Sequence, residues 1–78
     1  MRLKNIQNLL KERKIQYTYT EEDGLGSIDF EYRGVSYHIW EFEDGAAGAE
    51  SNLRSGGRME EFTGDYEEQL LEILQVFR

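Results

Sequence analysis

Cysteine and proline are both absent, and only one histidine and one tryptophan occur in the 78 residues. Without cysteine there is no disulfide and no thiolate metal site, which fits a reducing compartment, and a cytoplasmic location is expected. A single histidine leaves too few nitrogen ligands for a transition-metal centre, so neither a metal nor a cofactor is expected. The acidic turn Glu41-Phe42-Glu43-Asp44-Gly45 lacks the spaced oxygen ligands of a calcium loop. No apolar run approaches the ~20 residues of a membrane span. The N-terminus is charged and amphipathic rather than an apolar leader, so neither a signal peptide nor a membrane partner is expected. Basic charge is also scarce: nine lysines and arginines face sixteen acids, for a net charge of −7. Such a surface repels a phosphate backbone, so direct nucleic-acid binding is not expected.

Glycine, present eight times, takes over the turns that proline might have shared. Asp23-Gly24 and Arg33-Gly34 each separate two alternating runs, the strongest short-range hairpin signal. Pairing outward from Arg33-Gly34 sets Tyr32 against Val35, Phe30 against Tyr37 and Ile28 against Ile39. Pairing outward from Asp23-Gly24 sets Tyr19 against Ile28, Tyr17 against Phe30 and Ile15 against Tyr32. Both turns put the same residues of the middle strand on one face, so the register supports itself. Strands are predicted at about 15–20, 27–33 and 35–43, with Ile15, Tyr17, Tyr19, Ile28, Phe30, Tyr32, Val35, Tyr37 and Ile39 on the core side.

Leu3, Ile6, Leu9 and Leu10 have helical spacing and predict a helix over about 2–13. Asp65 with Glu68 resembles a capping box at the start of a second helix. Its apolar stripe holds Tyr66, Leu70, Ile73, Leu74 and Phe77, broadened by Leu71 and Val76. Ala49 to Leu53 is a weak candidate for a fourth, edge strand, and residues 54–62 read as a loop. The expected fold class is α+β. An antiparallel meander of three to four strands carries the N- and C-terminal helices on one face, in the order α-β-β-β-(β)-α. Residues 1–78 form a single domain. A chain this short buries only about 60–65% of its unfolded surface, so every core position counts.

The same register isolates a second face: Gln16, Thr18, Thr20, Ser27, Asp29, Glu31, Ser36, His38, Trp40 and Phe42. Most are polar, as an open face requires. Asp29 falls opposite His38, and Trp40 follows two residues later. This cluster, with Asp29, Glu31, His38, Trp40 and Phe42 as partner-binding residues, is the leading candidate site, with Glu41 and Glu43 expected along its rim. The competing explanation is structural: aromatics favour strands, and an Asp–His pair across a hairpin is an ordinary contact of about 0.2–1 kcal/mol. Catalysis lacks a nucleophile of the expected kind, because Ser27 and Ser36 lie on strands without an elbow or an oxyanion donor. No catalytic residue and no enzymatic activity are expected. Arg54-Ser55-Gly56-Gly57-Arg58 is the only compact basic element outside the first helix; two arginines around Gly-Gly more often mark a flexible connection that neutralises neighbouring acids, and Arg54 and Arg58 form a weak candidate for anion or nucleotide binding. Residues 1–14 carry a balance of +4 and residues 15–78 one of −11. A basic first helix lying against an acidic last helix explains part of that asymmetry, and an acidic body meeting a basic partner is the other reading.

Through Glu21-Glu22-Asp23-Gly24-Leu25-Gly26-Ser27-Ile28-Asp29-Phe30 and Tyr37-His38-Ile39-Trp40-Glu41-Phe42, continuing through Arg54–Asp65, the chain resembles a family of small uncharacterised bacterial proteins. Members are sometimes labelled "kinase", although this chain has no glycine-rich loop, lysine strand, or HRD- or DFG-type element. The resemblance implies a discrete family with no established activity, and it carries over no catalytic residue. At the level of fold, the acidic αβββα layout is similar to some phage-borne inhibitors that mimic DNA charge. The leading expectation is a non-enzymatic protein–protein interaction module whose partner is another, basic protein or a second copy of the chain. The alternatives are a nucleic-acid-mimicking inhibitor of a basic DNA-binding protein, and a small anion or nucleotide binder.

Overall fold

The structure, a computed structural model, describes residues 2–54 and 57–77. Two helices and five strands follow in the order α1 (Lys4–Glu12), β1 (Tyr17–Glu22), β2 (Leu25–Tyr32), β3 (Val35–Glu43), β4 (Ala47–Ser51), β5 (Glu60–Thr63) and α2 (Tyr66–Leu74). The strands form one antiparallel sheet in sequential order, β1 to β5. The α+β meander is therefore as expected, with two more strands than the hairpin signals alone mark.

Turn chemistry drives the first two hairpins. Asp23 and Gly24 have φ of 53° and 76°, and Arg33 and Gly34 have φ of 53° and 82°. Positive φ at both central residues is the type I′ geometry that matches strand twist. The predicted pairs Tyr17 with Phe30, Tyr19 with Ile28, Phe30 with Tyr37 and Tyr32 with Val35 all form. Ile15 does not join β1. Helix α1 ends with Lys14 in the left-handed region, where the Lys14 and Ile15 amides bond the Lys11 and Leu10 carbonyls at 3.0 and 2.9 Å. This Schellman-type ending uses up the two residues before the strand can begin.

Two expectations are corrected here. The fourth strand is internal rather than an edge, and β5 lies in the segment read as a loop. Glu60 to Thr63 pairs along Ser51 to Gly48, so pairing with β4 overrides a sequence that contains two adjacent acids.

Both helices cover the face that carries Ile28, Phe30, Ile39, Ala49 and Phe62, and Ile6, Leu10, Leu70 and Leu74 complete a core in which most side chains are fully buried. Phe77 closes one end, its ring 5.9 Å from Phe30, 5.0 Å from Tyr32 and 4.9 Å from Tyr37. Val76, expected to broaden the apolar stripe, instead points outward with 75% exposure.

The helices lie side by side and cap each other. Leu3, at the start of α1, supplies no side-chain cap. The Glu67 carboxylate from α2 accepts the Asn5 and Ile6 amides at 3.1 and 3.4 Å instead. At the other end the Arg13 guanidinium donates to the carbonyls of Phe77 and Gln75. Each contact sets a charge against the helix pole it stabilises. Part of the charge asymmetry is thus settled inside the fold.

Candidate functional site

The face away from the helices has no second layer among the described residues. Its register is set by the two I′ hairpins and continued by β4 and β5. One row crosses the sheet as Ser27–Trp40–Glu50–Glu61, the next pairs Asp29 with His38, and a third runs Phe42–Gly48–Thr63.

The Asp29–His38 pair forms, with the His38 Nδ1 hydrogen-bonded to the Asp29 carboxylate. Asn52, just beyond β4, accepts the His38 amide at 2.8 Å and donates to the Ser36 carbonyl at 3.0 Å, so the strand under the imidazole is held from both sides. The imidazole lies 5.3 Å from the Trp40 ring, tilted by 37°. Trp40 is 38% exposed, and the described residues between 44 and 62 do not cover it. Glu31 is exposed on the same face. Phe42 is half-buried and lies across Gly48, where an added Cβ would come within 2.7 Å of its ring and 2.7 Å of the Phe62 carbonyl oxygen. Phe42 therefore acts as a lid over a glycine in the sheet, while Trp40 is the aromatic presented to solvent.

The rim differs from the expectation. Glu41 does not flank this face. Period-two alternation from Ile39 turns it into the core side, where its side chain is only 3% exposed. Arg2 pairs with it at 2.6 and 3.1 Å, the Gly26 amide donates at 2.8 Å, and the Tyr66 hydroxyl donates to its second oxygen. Burial alone would push its pKa up, but the Arg2, Tyr66 and Gly26 donors outweigh burial and hold it below the ordinary 4.5. Burial, and then the bond to Glu41, raises the Tyr66 hydroxyl. This node ties the N-terminal segment, β2, β3 and α2 together and is structural.

Two glutamates that the predicted register did not place on the open face belong to it, Glu50 and Glu61. They are directly opposed across β4 and β5, and among the described residues neither makes an ion pair or side-chain hydrogen bond. Only correct recognition of β4 and β5 could have found them. With Phe42, Asp44, Ala46 and Thr63 they line a shallow depression of about 410 Å³.

The charge of the sheet is one-sided. Its five strands contain nine acids and neither lysine nor arginine. The acids are Glu21, Glu22, Asp29, Glu31, Glu41, Glu43, Glu50, Glu60 and Glu61. Arg54 does not offset the open face. It pairs with Glu60 at 2.7 and 3.1 Å and sits 5.7 Å from the Phe62 ring, on the core side. That pairing occupies one half of the candidate anion site. Arg58 is exposed, and Ser55 and Gly56 between them lie outside the described residues. Among the described residues no group of three or more acidic, histidine or cysteine side chains is placed to hold a metal ion, and no helix is long and apolar enough to cross a membrane.

No family model, curated protein or solved structure matches the chain.

Proposed function

We propose that the protein is a non-enzymatic docking module that binds a basic protein through the open face of its sheet. The observation that carries this reading is a five-stranded sheet with one face left uncovered by the described residues, an exposed Trp40 on it, and no lysine or arginine in any strand. Large, rigid aromatics contribute contact area at low entropic cost and are enriched at binding hot spots. Asp29 holds His38, and His38 packs on Trp40, so the anchor is positioned before a partner arrives. Asp29, Glu31, Glu50 and Glu61 surround it with negative charge that steers a positive partner.

The test is selection from an unbiased peptide library displayed on phage, with the folded protein as target. Enriched peptides should be basic, and each should lose at least about tenfold in affinity for Trp40→Ala. Enriched peptides that bind Trp40→Ala as well as the parent protein would overturn the reading. Binding that collapses with salt but ignores Trp40 would instead favour mimicry of nucleic-acid charge.

A further inference from the structure

Within that docking reading, on which this step rests, we infer that the row Trp40–Glu50–Glu61 is a receptor for one arginine side chain of the partner.

The argument starts from an apparent defect. Glu50 and Glu61 face each other directly across β4 and β5. Like charges in that position are destabilising, and folds ordinarily relieve them with a neighbouring cation. Here neither carboxylate has an internal partner among the described residues, and no strand supplies a lysine or arginine. Among the described residues no cation of the protein therefore offsets the two carboxylates, and a cation from a partner can.

The second observation concerns what stands beside the pair. Trp40 is the cross-strand neighbour of Glu50 on the same face. Directly opposed side chains have Cβ atoms about 5 Å apart, so an indole and two carboxylates occupy one line roughly 10 Å long. His38 leans on the indole from the adjacent position, and Phe42 and Thr63 border the depression beyond the carboxylates. A planar cation can lie on the indole face and direct its N–H groups at the glutamates.

Arginine fits this arrangement better than lysine. Its guanidinium is planar, stacks on aromatic rings and offers donors in a fixed fork, whereas an ammonium is a compact, strongly hydrated charge. The partner is accordingly a protein segment presenting an exposed arginine, with further basic residues facing Asp29 and Glu31.

The experiment uses three labelled peptides of alternating glycine and one variable residue: arginine, lysine or citrulline. Citrulline keeps the plane and removes the charge. Binding is followed by anisotropy of the label and by the fluorescence of Trp40, the chain's only tryptophan. The arginine peptide should bind saturably and perturb Trp40. The lysine and citrulline peptides should each bind about fivefold or more weakly. Glu50→Gln and Glu61→Gln should each weaken the arginine peptide by about three- to tenfold while raising the melting temperature of the free protein by about one to four degrees. Glu72→Gln, an equal charge change at an exposed position of α2, should leave binding within about twofold. Equal binding of arginine and lysine peptides, or an equal effect of Glu72→Gln, would overturn the receptor while leaving the docking face intact. A melting temperature lowered by Glu50→Gln and Glu61→Gln would also overturn it, because the pair would then be stabilising. Loss of the docking face itself would show separately, as library peptides indifferent to Trp40→Ala.

Discussion

Glu41 and Glu50 lie on adjacent strands of one sheet, and the fold treats them in opposite ways. The carboxylate of Glu41 is buried and receives Arg2, Gly26 and Tyr66. The carboxylate of Glu50 has no partner among the described residues and faces another glutamate. Residue type is the same; the difference is which side of the pleat each one occupies. On the core side an ionised group is tolerable only when fully partnered, because desolvation is otherwise too costly. On the open side water solvates the charge, so an unrelieved pair costs only tenths of a kcal/mol and can be kept for a partner. For these two glutamates, satisfied charge marks structure and unsatisfied charge marks the candidate interface.

The sharpest way to break this comparison is Glu41→Ala. It strips the Gly26 amide and the Tyr66 hydroxyl of their acceptor and leaves Arg2 without its partner. Arg2 is itself 43% exposed, so part of its loss is recovered from water, and the expected destabilisation is about 2–4 kcal/mol. Urea denaturation measures it. A cost below about 1 kcal/mol would mean that the node is incidental and the contrast between faces unfounded.

The same node predicts the pH dependence of stability. Glu41 titrates below its ordinary 4.5 when folded, so around that pH the unfolded chain binds more protons. Its stabilisation is full above pH 4.5 and is lost as pH falls through the folded value. Tyr66 is raised above its ordinary 10.0. Its contribution is full below pH 10 and is lost as pH rises through the folded value. Denaturation from pH 3 to 7 should therefore show a shallower acid decline in Glu41→Gln than in the parent, since that variant has no carboxylate there to protonate. Parallel declines would show that other carboxylates dominate the acid limb.

The parts of the fold readable from sequence were those where two signals agree. In β1 to β3, positive-φ turn residues and period-two alternation specify the same register, and Asp29, His38 and Trp40 follow from it. Strand β4 carries only a turn signal, Asp44-Gly45 with Gly45 at φ 79°, and β5 carries neither. Ala47-Gly48-Ala49-Glu50-Ser51 is mostly small, and at Gly48 Phe42 leaves no room for a side chain. Glu60-Glu61 breaks alternation, and only Phe62 of β5 reaches the core. These strands form because the sheet offers a paired edge, which is a tertiary cause. Glu50 and Glu61 were hidden for that reason. Glu41 was legible, since two residues past Ile39 must face the core, but its charge argued for solvent. Arg54 was expected either to neutralise neighbouring acids or to bind an anion, and its pairing with Glu60 is the first of these.

The smallest expected effect on stability belongs to the residue expected to matter most for binding. Trp40→Ala removes an aromatic that is 38% exposed and packs on His38. Its cross-strand neighbours are Ser27 and Glu50, neither of them apolar. The loss should be about 1 kcal/mol or less, in the range of a cross-strand pair rather than a core aromatic. Thermal and urea melts should be nearly those of the parent, while affinity for basic peptides falls by about tenfold or more. A large aromatic that can be deleted with little effect on folding is not there for the fold. If Trp40→Ala instead destabilises by more than about 3 kcal/mol, the indole is part of the structure. The open face would then lose its anchor, and the distinction between the two sides of the sheet would rest on charge alone.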